Sequence, residues 1–244
     1  MVERADRAPV ATFFVPAAWG AVVALDDAAA HHVQVKRLRD GDPVRLTSGD
    51  GRLARGVLAD VGKRRASVML DDASVEIVPA PPEIAMLAPV GDRDRMLTLA
   101  EKAVELGLSR WHPVLFARSR SVSPRGEGDA FREKVRLRMI SALEQSGGAW
   151  LPTILREEAV TDALSSAGGD SCILLDAAGA PVRSIVPSLR APCIIAIGPE
   201  GGVEAAERSA FMDAGWRPAS IGANVLRFET AGIAALAIVR AHLR

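Results

Sequence analysis

From residue 84 to the C-terminus, short apolar runs alternate with stretches of helical pattern, and this alternation restricts the fold more than any other feature of the chain. The runs at 84–89, 111–116, 172–175 and 193–197 are apolar at nearly every position, as strands covered on both faces must be. Helical patterns occupy 93–107, 130–145, 204–214 and 230–243. Strands that alternate with helices predict an α/β domain with a mainly parallel sheet covered on both sides. The last helix is apolar on nearly every face until Arg240, so it is expected to be buried, in the core or against a second subunit.

Upstream the period is different. Short β-like runs at 12–15, 43–47, 53–59 and 66–70 are separated by turn signals, including Ser48-Gly49-Asp50-Gly51. Residues 27–38 interrupt them with a helical segment that stops at Asp40-Gly41. This pattern predicts a small β-barrel. Pro79, Pro81 and Pro82 form a stiff connector between the two patterns, which divides the chain into domains at 1–76 and 77–244.

A chain of 244 residues that is 49% hydrophobic excludes disorder and low-complexity fibre. The 30 basic and 30 acidic residues cancel, which excludes a uniformly basic nucleic-acid coat. The distribution is uneven: residues 1–70 hold 11 basic against 8 acidic residues, and 110–138 hold 8 against 3, whereas the remaining segments are acidic. Cys172 and Cys193 lie in apolar runs, consistent with a reducing, cytoplasmic setting. The first residues lack a signal-peptide run, the longest apolar stretch is too short to span a bilayer, and no His/Cys cluster has metal-ligand spacing. No membrane association and no metal are expected.

The local feature richest in chemistry is the strand 193–197 running into Gly198-Pro199-Glu200-Gly201-Gly202 at the head of a helix. Glycines there let a ligand approach backbone N–H and C=O groups closely. The loop has no Lys-Ser/Thr of a P-loop and not the spacing of a dinucleotide fingerprint. Glu200, Glu204 and Glu207 also place negative charge where an anion would rest. A ligand neutral or cationic at this point fits better; a ligand-free turn is the alternative. A second turn, 221–230, leads into the last helix. Arg227 precedes that helix, where the helix dipole opposes a cation, so it is expected to serve a ligand, another chain or a carboxylate such as Glu229.

Taken in order, the motifs carry a family resemblance. Lys102-Ala-Val-Glu-Leu-Gly with Pro113 and Arg118-Ser119, Glu144-Gln145-Ser146 with Leu151-Pro152, Gly198-Pro-Glu-Gly-Gly, and Leu226-Arg227-Phe-Glu-Thr-Ala resemble the ribosomal RNA small subunit methyltransferase E family. Phe13-Phe14-Val15, His32 and Arg37-Leu38-Arg39-Asp40-Gly41-Asp42 extend the likeness over almost the whole chain, with departures at Thr12, Val104, Ser141 and Gly148. The resemblance implies a PUA-like β-barrel RNA-binding domain followed by a SPOUT α/β trefoil-knot methyltransferase domain. It implies methylation of N3 of a uridine in 16S ribosomal RNA with S-adenosylmethionine as cofactor. The partners it implies are 16S rRNA or the small subunit, and a second copy of the chain joined through the knot domain.

On this resemblance the cofactor lies against three loops: Leu174, Leu175 and Asp176; Ile197, Gly198, Pro199, Glu200, Gly201 and Gly202; and Ile221, Gly222, Val225, Leu226, Arg227 and Thr230. A sulfonium cofactor without phosphate agrees with the objection to an anion, although Asp176 is equally read as a turn residue after a strand. Methyl transfer to N3 requires alignment, loss of the N3 proton and stabilisation of charge on the uracil oxygens. Arg227 is expected to face a uracil oxygen, and Glu200 or Glu229 either takes the proton or holds Arg227. RNA contacts are expected from His32, Lys36, Arg37 and Arg39, and from Arg118, Ser119 and Arg120. The competing readings are a SPOUT enzyme acting on another RNA nucleotide or on ribose, a non-catalytic RNA-binding ribosome assembly factor, and a nucleotide-binding enzyme.

Overall fold

A computed structural model describes residues 8–16, 18–121, 125–167 and 171–243. The chain packs as two units, one formed by residues up to Ala80 together with Ile140–Leu151, the other by Pro81–Met139 and the chain from Pro152 onward.

In the first unit, strands β1 (Ala11–Phe14), β2 (Val22–Ala24), β3 (Pro43–Thr47), β4 (Arg52–Ala59), β5 (Ser67–Leu70) and β6 (Glu76–Ile77) form one sheet. Its order is β1-β3-β4-β5-β2, with β6 on β4; β1 runs parallel to β3 and the other pairs are antiparallel. Alternating side chains fill its core, where Phe13, Leu46, Leu58 and Val68 meet Val33 of α1 (Asp27–Val35). The Asp26 carboxylate accepts the Ala29 N–H at 2.8 Å and starts α1, and Arg37, at φ 57°, turns the chain away after its end.

The Ser48–Gly51 turn explains why Ile140–Leu151 joins this unit. Gly51 has φ 103°, and a Cβ there would lie 2.5 Å from the Trp150 ring, so only glycine permits both the turn and the contact. The Gly51 N–H donates to Ala149 O at 2.9 Å, Leu151 N–H to Gly49 O at 2.9 Å, and Glu144 accepts the Phe14 N–H at 2.9 Å. Nothing in the sequence spacing reveals this pairing across some hundred residues.

The second unit is built on β7 (Ile84–Pro89), β8 (Arg110–Leu115), β9 (Thr153–Ile154), β10 (Glu158–Ala159), β11 (Ser171–Pro181), β12 (Cys193–Ile197) and β13 (Arg217–Ser220). Every pair is parallel, and the order is β10-β8-β7-β12-β11-β13, with β9 on β8. Its helices are α2 (Arg93–Glu105), α3 (Asp129–Ser146), α4 (Val160–Ser166), α5 (Val182–Ile185), α6 (Ala205–Asp213) and α7 (Phe228–His242). The residues of α3 from Ile140 onward belong to the first unit. Strand β12 is buried at all five positions, which its unbroken apolar run requires. Phe211 of α6 lies between Phe116 and Trp216, at ring separations of 6.2 and 5.0 Å.

Within one chain, helix α7 is buried on one side only. Phe228, Gly232, Ala235, Leu236 and Val239 are buried, but Ile233, Ala234, Ala237 and Ile238 remain partly exposed. A single chain covers only one side of this helix, so its remaining apolar face is half-buried. Among the described residues no helix is long and apolar enough to cross a membrane.

Candidate functional site

Strands β12, β11 and β13 are neighbours and end at one level, since Leu175 pairs with Ile197 on one side and with Ala219 on the other. Ligand sites of parallel sheets lie beyond the carboxyl ends of the strands, and the loops that follow these three surround a cavity of about 550 Å³. The first wall comes from Leu175, Asp176 and Ala177, where β11 breaks register before pairing with β13 again at Ala180. The second comes from Ile197, Gly198, Pro199, Glu200, Gly202 and Val203. The third comes from Ala219 to Gly222 and from Asn224 to Phe228, closed by Ala231 of α7.

Apolar walls from Leu175, Ile197, Ile221 and Leu226 alternate with charged groups. Val225 stands at the rim with 89% of its surface exposed. Asp176 Oδ2 accepts a charge-assisted hydrogen bond from Arg208 Nε at 2.6 Å, and Oδ1 accepts the Ala178 N–H at 2.8 Å. Burial pushes the Asp176 carboxyl up, but these two donors and the guanidinium charge outweigh it and hold the group below its ordinary value. Glu200 Oε1 accepts the N–H of Asp92, the N-cap of α2, at 3.2 Å and lies 3.6 Å from Arg95 NH1. The head of α2 therefore holds Glu200 in the wall.

Arg227 is the N-cap residue of α7, offers no side-chain cap and is exposed on the cavity. The two other arginines of the wall each neutralise a carboxylate: Arg208 that of Asp176, Arg95 that of Glu200. Arg227 has no ion pair among the described residues. It is not held by Glu200 or Glu229, because Glu200 is engaged by α2 and Glu229 Oε2 is buried without a hydrogen-bond partner.

Five expected positions lie elsewhere. Leu174 is fully buried in the core one residue below the cavity wall, since successive strand residues face opposite sides of the sheet. Gly201 does not line the cavity and lies against Arg118. Thr230 is exposed on the first turn of α7, and neither it nor Glu229 lines the cavity. Ser119 is completely buried with an unpartnered hydroxyl, so as placed it offers RNA no contact.

Of the other residues expected to meet RNA, Lys36, Arg37 and Arg39 are exposed just after α1. His32 packs edge-on against Phe13 at 5.8 Å and lies 3.9 Å from Glu144. Burial, then Lys36 and His31, push its pKa down, which favours a neutral packing residue. Arg118 belongs to the turn Ala117–Ser121 and donates to Gly201 O at 2.5 Å. The side chain of Arg120 lies outside the described residues.

The sequence reading missed Arg95 and Arg208. A signal for Arg95 existed: an arginine in the first turn of a helix opposes the dipole, as Arg227 does. Arg208 carries no such mark, because only the tertiary fold brings α6 to Asp176.

Comparison with known proteins places this geometry. An RNA methyltransferase domain matches residues 79–240, and an RNA methyltransferase PUA domain matches 25–70. The chain is 28% identical over 235 residues to a ribosomal RNA small subunit methyltransferase E from Mycobacterium tuberculosis, covering 90% of this chain and 86% of that one. The protein of that name from Synechocystis is 27% identical over 232 residues, covering 91% and 74%. Among solved structures, a Legionella pneumophila protein in complex with the bound cofactor SAM superposes with a TM-score of 0.84 at 26% identity, covering 94% of this chain and 96% of that one. A ribosomal RNA small subunit methyltransferase E from Neisseria gonorrhoeae bound to S-adenosyl methionine gives 0.82 at 26% identity, covering 95% and 97%. The fold is thus the SPOUT α/β class with a PUA-like domain ahead of it. With the domain match spanning most of the chain and the strand-end cavity in its place, the chain belongs to the RNA methyltransferase family that includes the ribosomal RNA small subunit methyltransferases E.

Proposed function

We propose that this protein methylates N3 of a specific uridine in 16S ribosomal RNA with S-adenosylmethionine as methyl donor. The observation that carries this reading is the cavity beyond β11, β12 and β13, in a chain of this family. Its residues suit the cofactor: a volume in the range of small-ligand sites, apolar walls for an adenine face, and a glycine turn that brings backbone groups close. The two carboxylates in its wall agree with a cationic sulfonium better than with a phosphate. The cofactor supplies, when bound, an electrophilic methyl group.

The chain's own residues do the rest. The three loops align the donor with the base in a closed site. Arg227, the wall cation without a carboxylate partner, faces the uracil oxygens and stabilises the charge that appears as the N3 proton leaves. Glu200 is the carboxylate of the pair Glu200 and Glu229 that lines the cavity; its Oε2, engaged by neither Asp92 nor Arg95, is the acceptor of that proton. Residues 1–76 supply RNA binding through the basic stretch at Lys36, Arg37 and Arg39, and residues 77–244 supply catalysis. A homodimer is supported by the half-buried apolar face of α7, and a cytoplasmic setting by the two cysteines, which lie as thiols in strands β11 and β12.

The test is transfer of labelled methyl groups to small ribosomal subunits lacking the modification, with mass spectrometry of the product nucleoside. Label on N3 of uridine is expected; label on ribose, on another base or on no RNA refutes the reading. Arg227→Ala should lower turnover by about 10²- to 10³-fold while the protein still binds S-adenosylhomocysteine. Unchanged turnover removes Arg227 from the mechanism.

A further inference from the structure

We propose that Arg118 is a positioning residue that locks the glycine-rich turn of the cofactor site, and not a contact for RNA. The inference rests on the reading of the cavity as the cofactor site. Sequence alone places Arg118 in a basic stretch, where an RNA phosphate is the natural partner. The structure ties its half-exposed side chain to the glycine-rich turn. NH1 donates to Gly201 O at 2.5 Å, and Nε lies 3.8 Å from Glu204 Oε1 at the head of α6.

The contact is steric as well as electrostatic. A Cβ at Gly201 would lie 3.0 Å from Arg118 Cβ, so the arginine stem lies directly on the glycine backbone. Gly202, at φ 76°, follows immediately, and its N–H closes the turn by donating to Pro199 O at 2.8 Å. Arg118 therefore grips the outer side of a turn whose inner side, through Gly198, Pro199, Glu200 and Gly202, forms the cavity wall.

A second anchor fixes the same pieces. The Ala117 N–H donates to Glu207 Oε1 at 2.7 Å, while Glu207 Oε2 accepts the Glu204 N–H at 3.0 Å and completes the capping box of α6. One carboxylate thus ties the end of β8 to the start of α6, and Arg118 ties that junction to the turn. Together they hold in register a glycine-rich segment with few side-chain contacts of its own.

The experiment measures S-adenosylhomocysteine binding by calorimetry, without RNA, for the wild type, Arg118→Ala, Arg118→Lys and Gly201→Ala. Kinetics with each substrate are measured in parallel. Loss of a charged hydrogen bond and its packing should weaken binding of S-adenosylhomocysteine by Arg118→Ala about tenfold. It should raise KM for S-adenosylmethionine similarly and leave the affinity for RNA within about twofold. Arg118→Lys, which keeps one donor, should fall between wild type and alanine. Gly201→Ala pushes the arginine off the turn without removing its charge, so it should reproduce the defect, and it decides the matter if Arg118→Ala does not fold. Normal S-adenosylhomocysteine affinity in both Arg118→Ala and Gly201→Ala overturns the inference, as does an effect confined to RNA affinity. Failure of the wild type to bind S-adenosylhomocysteine overturns the cofactor reading itself, and this inference with it.

Discussion

Gly232 offers a test of how tightly α7 is pressed onto the sheet beneath the site. A Cβ on Gly232 would lie 2.6 Å from Ile197 Cδ1 and 2.8 Å from Leu99 Cδ1, against the roughly 3.5–4.0 Å of ordinary carbon contacts. Leu99 is fully buried and Ile197 is 2% exposed, so neither has open space to move into. Two effects compete in Gly232→Ala. Alanine raises helix propensity by about 1 kcal/mol, whereas forcing two packed side chains aside costs about 1–3 kcal/mol. The balance should be a destabilisation of about 1 kcal/mol, where an uncrowded helical glycine would show stabilisation of about that size.

Chemical denaturation followed by tryptophan fluorescence reads the change, since Trp111 and Trp216 are buried in the same unit. The decisive comparison is with Ile197→Val, which removes the Cδ1 atom nearest the new methyl group and by itself costs about 0.5–1.5 kcal/mol. In that background Gly232→Ala should cost markedly less, the approach to Leu99 alone remaining, which is a coupling of about 1 kcal/mol. Strict additivity, or a stabilised single variant, refutes the close approach. Because Ile197 also lines the cavity, the single variant should bind S-adenosylhomocysteine more weakly as well.

Two further outcomes follow from the packing of the second unit. Phe211→Ala removes a fully buried ring that contacts two other aromatic groups and should cost about 3–5 kcal/mol in the same denaturation assay; a loss below about 1 kcal/mol contradicts the placement of α6. Burial pushes the Cys193 thiol up to about 12, so iodoacetamide should label Cys172 before Cys193 in the native protein and both readily in urea. A thiol pKa raised by folding contributes stability that is complete below the unfolded value of about 8.5. Denaturant midpoints should therefore fall as pH rises above that value, and Cys193→Ser should flatten the dependence.

Much of the fold is legible wherever a run is long and bounded by breakers. Strands β7 and β12 coincide with the apolar runs at 84–89 and 193–197, because strands buried on both faces hold few polar residues. Strands of two or three residues escape such reading: in β2 only Val23 is buried, and β6, β9 and β10 are too short to show any period. The three loops of the site are visible as glycines and turn residues after strands, yet side-chain direction is not. Ser119 and Leu174 point into the core, and Arg118 turns to Gly201, because local pattern names an element without fixing which neighbour it meets.

What the sequence alone determined is the period of each segment, the glycine turns at strand ends and the uneven charge behind a net charge of zero, since these depend on residues close together in the chain. Only the tertiary structure decided which strand ends stand side by side and which arginine neutralises which carboxylate. It also decided that residues 140–151 complete the first unit. Those choices join positions from tens to more than a hundred residues apart. They are settled by packing, by burial of the β12 run between β7 and β11, and by the pairing of charges that burial would otherwise penalise.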